Sequence, residues 1–180
     1  RRVLFRSNKI FTASFENEEI KQWSRSGRLL KSWKPDNLDR SDFIFNVSPD
    51  SQTIVTGNNE SVSFWSQGGS LLKTLNVEVG YNLITKISFS PDGKLIALAI
   101  GAPIDGGVAE IQLWSSEGIL LKTFKAHSDS VSELRFSPDG QIIVSASSDG
   151  TIKLWKHDGT LFTTLNGHRS EEHTSELQSL

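Results

Sequence analysis

Four tryptophans set the terms on which this chain can fold. Trp23, Trp65, Trp114 and Trp155 stand 42, 49 and 41 residues apart, and four places after each comes a glycine: Gly27, Gly69, Gly118 and Gly159. A recurrence at roughly 40 to 45 residues marks a repeated unit that cannot bury its own apolar face and must stack on its neighbours. After each glycine the same phrase returns, L-L-K-S-W from Leu29, L-L-K-T-L from Leu71, L-L-K-T-F from Leu120 and L-F-T-T-L from Leu161.

Within a unit the pattern is that of strands and tight turns. Before each tryptophan lies an alternating run, as in Ile20-Lys21-Gln22-Trp23 and Ile152-Lys153-Leu154-Trp155, and period two is the signature of a half-buried strand. Ser-Pro-Asp recurs at Ser48, Ser90 and Ser137, with Gly93 and Gly140 completing two of the three. There Pro fixes φ and Gly supplies a positive one, the chemistry of a hairpin turn. The fullest unit, His127 to Leu165, predicts four strands: Val131 to Phe136, Ile142 to Ser147, Thr151 to Trp155 and Thr160 to Leu165.

Over Lys9 to His168 the chain resembles the WD-repeat β-propeller family, and its G-x-L-L-K-T-L style is similar to long tandem bacterial WD arrays. The resemblance implies an all-β fold of four-stranded antiparallel blades, three complete and most of one. The blades are expected at about 8–34, 35–76, 77–125 and 126–166. Propellers commonly need four to eight blades to close, so the expectation for this chain alone is an open arc or a strained four-bladed ring. By the same resemblance His127, Ser145, Asp149 and Trp155 form a structural hydrogen-bonded tetrad. Burying an imidazole, a hydroxyl, a carboxylate and an indole N–H is costly unless each finds a partner, and this set has matching donors and acceptors. The other units depart from it: Ala13 with Asn17 in the first, Thr56 with Asn59 in the second, and Leu98 with no opening histidine in the third.

Both termini read as foreign to the fold. Arg1 to Ser7 can be written as codons whose reverse complement translates to Arg169 to Ser175, and the string resembles a common sequencing-library adapter. The expectation is that 1–7 and 169–180 are adapter-derived and that 8–168 is a propeller fragment. The lack of any methionine fits a fragment.

Composition removes several classes of function. A net charge of −2, with basic residues scattered, gives no footprint for DNA or RNA. No apolar run approaches the roughly 18 to 20 residues of a membrane helix, and no hydrophobic leader opens the chain, so the segment reads as soluble, and its lack of cysteine points to the cytoplasm. With no cysteine there is neither a disulfide nor a thiolate metal site. Ser145, His127 and Asp149 are also the parts of a hydrolase triad, but no G-x-S-x-G elbow surrounds Ser145. His127 and His157, near Asp129 and Asp158, fall at opposite ends of a blade and make a poor metal set. The inward strands carry Lys86, Ser88, Ser132 and Arg135 without a cofactor or metal constellation. The reading is therefore a non-enzymatic scaffold for protein partners, needing no cofactor. The alternative is the sensor or regulatory array of a multidomain enzyme whose NTPase, protease or kinase domain lies elsewhere.

In such a fold the loops from second to third strand and those between blades share one face. Ser90 to Trp114 spans 24 positions against 18 from Ser137 to Trp155, which places an insertion at Gly101 to Gly107 on that face. The connections Lys34 to Ser41 and Asn76 to Asn82 surround it. Asp39, Arg40, Tyr81, Ile104 and Asp105 are the candidate partner-binding residues. Trp33, standing where the phrase otherwise has Leu or Phe, reads as outer packing.

Overall fold

The computed structural model describes residues 2–6 (backbone alone), 9–14, 16–35, 44–58, 61–77, 83–101 and 107–166. These residues form sixteen strands and no helix. The first sheet holds β1 (Arg2–Arg6), β2 (Lys9–Ser14), β3 (Glu19–Ser24) and β4 (Leu29–Trp33), and the second β5 (Ile44–Val47), β6 (Thr53–Gly57), β7 (Ser61–Ser66) and β8 (Leu71–Asn76). The third holds β9 (Ile84–Phe89), β10 (Leu95–Ile100), β11 (Ala109–Ser115) and β12 (Leu120–His127), and the fourth β13 (Val131–Phe136), β14 (Ile142–Ser147), β15 (Thr151–Lys156) and β16 (Leu161–Asn166). Every sheet is an antiparallel meander in chain order.

The hairpins follow from local chemistry. In each Ser-Pro-Asp turn the serine hydroxyl donates to the aspartate two residues on, at 2.5 Å from Ser48, 2.6 Å from Ser90 and 2.5 Å from Ser137. The same hydroxyls accept the backbone N–H of Thr53, Leu95 and Ile142, closing the turn from both sides. These bonds to the ionised form hold Asp50, Asp92 and Asp139 below the ordinary carboxylate value. The fourth residue of the turn is left-handed. It is Gly93 and Gly140 in two turns but Ser51, with φ 63°, in the other.

The cores lie between sheets, because each strand points its apolar residues alternately at the sheet before and the sheet after. Phe11, Ala13 and Ile20 of the first sheet meet Phe45, Val47, Ile54 and Trp65 of the second. Val55, Val62 and Phe64 of the second meet Ile87, Ile96, Leu98 and Trp114 of the third. Ala97, Ala99, Ile111 and Leu113 of the third meet Val131, Leu134, Ile143 and Trp155 of the fourth. The innermost strands touch in succession, β1 with β5, β5 with β9 and β9 with β13. The arc of four blades does not close.

Two strands run across the expected boundaries. Arg2–Arg6, assigned above to foreign sequence, pairs along β2 from Arg2 with Ala13 to Arg6 with Lys9. The β2 edge is a row of unpaired backbone groups, which any extended segment can satisfy. The other boundary, drawn at 125, falls inside a strand: β12 runs on to His127, which pairs with Ala109. A β-bulge after Ala109 lets the outer strand extend beyond its phrase. The opposite end of the expected propeller, with the whole 169–180 tail, lies outside the described residues.

Candidate functional site

The most elaborate polar arrangement sits where the third sheet meets the fourth. His127 ends β12, Ser145 lies in β14, Trp155 in β15 and Asp149 in the turn between β14 and β15. The Trp155 indole N–H donates to Ser145 Oγ at 2.9 Å, and Ser145 Oγ lies 2.7 Å from His127 Nε2. On the far side of the ring, Nδ1 lies 2.9 Å from Asp149 Oδ2. One assignment satisfies every group: Ser145 O–H donates to Nε2 and the neutral ring donates its Nδ1–H to the carboxylate.

Burial decides that protonation state. His127 is 1% exposed and Ser145 0% exposed. Desolvation pulls the His127 pKa below its ordinary value, and the opposing hydrogen bond and charge of Asp149 do not reverse this. For Asp149 burial works toward a raised pKa. Hydrogen bonds from Thr151 and His127 outweigh it and lower the carboxyl to about 2. Thr151 supplies two of these bonds, from its hydroxyl at 2.6 Å and its N–H at 2.9 Å, and Ser128 N–H adds a further contact at 3.2 Å. The pair is thus a neutral donor on a fixed anion. Because His127 belongs to the third sheet by its backbone, the network stitches two sheets together. Lys153 adds a second stitch, its ammonium donating to Ala126 O at 2.6 Å, and Phe124 packs on Trp155 with ring centroids 5.0 Å apart.

The other tryptophans show what happens without the full set. Trp65 donates to Thr56 Oγ1 at 2.8 Å. Trp114, facing Leu98 where the fourth sheet has Ser145, turns to Gln112 Oε1 on its own strand at 3.0 Å. In the first sheet the acceptor is Thr12, at 2.9 Å from Trp23 Nε1, and not Ala13. Register explains the correction: Trp23 pairs with Ile10 as Trp155 pairs with Ile143, so the matching place is two residues after Ile10. Thr12 and Trp23 are 11 residues apart and Ser145 and Trp155 are 10, so the intervening hairpin is one residue longer in the first sheet. Counting back from the tryptophan by a fixed number misses this. In the second sheet Asn58 closes the turn on Ser61 N and Oγ at 2.8 and 2.9 Å, as Asp149 does on Thr151. Asn59 lies outside the described residues.

No serine nucleophile is exposed at this site. Ser145 is held between an indole and an imidazole and is fully buried. His157 is an exposed turn residue in the β15–β16 hairpin, whereas His127 is enclosed between sheets. Among the described residues no group of three or more His, Asp or Glu side chains is placed to hold a metal ion. The candidate partner-binding residues Asp39, Arg40, Tyr81, Ile104 and Asp105 lie outside the described residues. The channel-side residues Lys86, Ser88, Ser132 and Arg135 fall on the innermost strands β9 and β13, where Ser88 is buried and Ser132 donates to Ala146 O at 3.2 Å.

The repeated sheet, the tryptophan seats and the polar stitch meet their counterpart in known sequences. Residues 118–156 match the WD domain, G-beta repeat family. The chain carries a WD repeat. The matched stretch runs from the turn before β12 to the end of β15, so this WD repeat comprises the outer strand of one sheet and three strands of the next. Its ends therefore do not coincide with a blade, and this repeat ties two of them. Similar proteins include a WD repeat-containing protein of Synechocystis sp., 32% identical over 67% of this chain and 33% of the relative. The Periodic tryptophan protein 2 homolog of Mus musculus is 35% identical over 49% of this chain and 10% of the relative. A WD repeat-containing protein of Schistosoma mansoni is 28% identical over 81% and 46%. The WD-repeat chain thus spans less than half the length of these relatives.

Proposed function

We propose that this chain is a protein-interaction scaffold whose contact surface is the face carrying the β2–β3, β6–β7, β10–β11 and interblade connections. One observation carries the reading: the two faces of the arc are built differently. On one, the Ser-Pro-Asp turns repeat the same serine–aspartate bond three times over. Its other turns, between third and fourth strands, repeat the backbone bond from glycine N–H to the carbonyl three residues earlier, at Gly27, Gly69, Gly118 and Gly159. On the other face the connections between second and third strands run from three residues, after β6 and β14, to eight, after β10, and differ in sequence. A rigid frame with one uniform and one variable face suits recognition by loops. Asp39, Arg40, Tyr81, Ile104 and Asp105 belong to the variable set and supply charged, aromatic and aliphatic contacts.

WD-repeat relatives support the coarse role, that of holding protein partners. The same proposal takes the chain as non-enzymatic, needing no cofactor and acting in the cytoplasm; no described helix is long and apolar enough to cross a membrane. The second reading, the regulatory array of a larger enzyme, places the same face against a catalytic domain of the parent protein.

The test is cross-linking of the purified chain to partners, with three forms compared. Replacing Tyr81 and Ile104 by Asp is expected to abolish partner capture. Asp92→Asn on the opposite face is expected to leave it intact. Capture lost by Asp92→Asn and kept by the loop variant would overturn the reading.

A further inference from the structure

The phrase that follows each tryptophan has two halves with opposite fates. Its last residue is packed into a joint with the next sheet: Trp33 leans on Gly69, Leu75 on Gly118 and Phe124 on Gly159. A Cβ built on those glycines would stand 2.8, 2.6 and 2.9 Å from the intruding side chain, so only glycine forms the seat. The lysine of the phrase reaches across as well, Lys31 donating to Gly68 O and Lys73 to Ser116 O. The aliphatic residues at its start do the reverse. The second and third sheets each have a sheet packed on either side, and still Leu71, Leu72, Ile119, Leu120 and Leu121 are between 46% and 62% exposed. Leu29 and Leu30 repeat the pair in the first sheet.

These side chains lie just after the turns from third to fourth strand, on the outermost strand of each sheet, so they line the outer rim where it meets the face of the Ser-Pro-Asp turns. Charge is sorted along the same line. Residues 24–34, 66–76 and 115–127 carry seven lysines and arginines, among them Arg28, Lys31, Lys122 and Lys125, against one acid, Glu117, in a chain of net charge −2. The adjoining turns are acidic instead, with Asp50, Asp92 and Asp139 all exposed. Exposed apolar side chains gathered in one row and bordered by charge mark a docking surface. Between the second and third sheets the row opens into a groove of about 350 Å³ lined by Phe64, Leu72, Phe89 and Lys73, the lysine ammonium 4.4 Å from the Phe64 ring centre. Asp50 and Asp92 line it too, which reserves the groove for an apolar side chain and leaves acidic contacts to the rim on either side.

We propose that this rim docks a segment of a partner protein in which aliphatic side chains stand between acidic residues. One aliphatic side chain fills the groove beside Leu72, and others cover Leu71 and the run from Ile119 to Leu121. The carboxylates meet Arg28 and Lys31 on one side and Lys122 and Lys125 on the other. Apolar burial supplies the affinity, and the row of cations selects an acidic occupant over a basic one. An anionic bilayer offers the same two attractions, but a flat surface laid on this rim also meets Asp50, Asp92 and Asp139 on the adjoining face and is repelled there. A narrow segment avoids them. The rim is a second contact surface, separate from the variable loops, and its failure would leave the loop-face reading untouched.

Selection of random phage-displayed peptides on the purified 180-residue chain tests this. The expected result is an enriched set that combines acidic and aliphatic residues and binds less tightly as salt is raised. Leu72→Asp with Leu121→Asp, both at exposed positions, is expected to weaken these peptides at least about tenfold while circular dichroism stays unchanged. Lys122→Glu with Lys125→Glu is expected to weaken them about tenfold and to flatten the salt dependence. Sedimentation with vesicles of phosphatidylcholine and phosphatidylglycerol is expected to leave the chain in the supernatant. The proposal would be overturned by the absence of such a set, by a set indifferent to both pairs of substitutions, or by vesicle binding that the leucine pair abolishes.

Discussion

The joint between the second and third sheets and the joint between the third and fourth solve one packing problem by different means. The former is almost wholly apolar: Val55, Val62, Phe64, Ile87, Ile96 and Leu98 fill it, and Trp114 satisfies its indole within its own strand. A buried polar bridge crosses it at Asn46, whose amide donates to Ile87 O at 2.8 Å while its Oδ1 accepts Val47 N–H. The latter has small residues on one side, Ala97 and Ala99, and gains a chain of bonds from Trp155 through Ser145 and His127 to Asp149. Apolar area stabilises without regard to pH. A buried neutral imidazole on a carboxylate stabilises only while both keep their charge states.

The largest expected effect breaks the apolar side of this comparison. Leu98→Ala removes a fully buried side chain and is expected to cost about 3 kcal/mol, equally at pH 7.5 and pH 5.5, as read by urea unfolding. Ser145→Ala acts on the polar side. It strips the acceptor from Trp155 Nε1 and the donor from His127 Nε2, with an expected loss of about 2 kcal/mol at neutral pH.

Acid then separates the joints further. His127 has a folded pKa below 6.5, so as pH falls through 6.5 the unfolded chain takes the proton first and stability declines. Asp149, lowered from 3.8 to about 2, contributes above pH 3.8 and loses its contribution as pH falls toward 2. His127→Phe is expected to flatten the stability profile between pH 6.5 and 5, and Asp149→Asn the segment below 4. Equal slopes in the parent and in His127→Phe would show that another group titrates. The smallest effect lies in the second sheet. Ser51 is left-handed at φ 63°, buried, and its hydroxyl has no partner among the described residues. Ser51→Gly is expected to raise stability by about 0.5–1 kcal/mol, seen as a higher urea midpoint.

Much of this architecture is legible in the residues, and what is legible is local. The Ser-Pro-Asp turns and the alternating runs place the strands of the fourth sheet within a residue of where they lie, since turn chemistry and period-two burial act over a few neighbours. The acceptor of Trp23 is misplaced by one, because hairpin length shifts the register and no local signal reports it. Thr151, Lys153 and Ser128 escape notice for a related reason. Their importance comes from where β12 ends, and β12 belongs to the preceding sheet. The seats at Gly69, Gly118 and Gly159 do leave a signal, a glycine always four places after the tryptophan. Reading it as a contact between blades requires knowing which side chain arrives from the neighbour.

Amide hydrogen exchange at pH 7 and pH 5, converted to protection factors, addresses the contrast between the two joints directly. Amides of β13 to β15 are expected to lose protection on acidification, while those of β6, β7 and β10 keep theirs. A parallel loss across both sets, or none in β13 to β15, would contradict a fold whose last blade is held by a proton-sensitive stitch and whose middle joint is held by apolar packing.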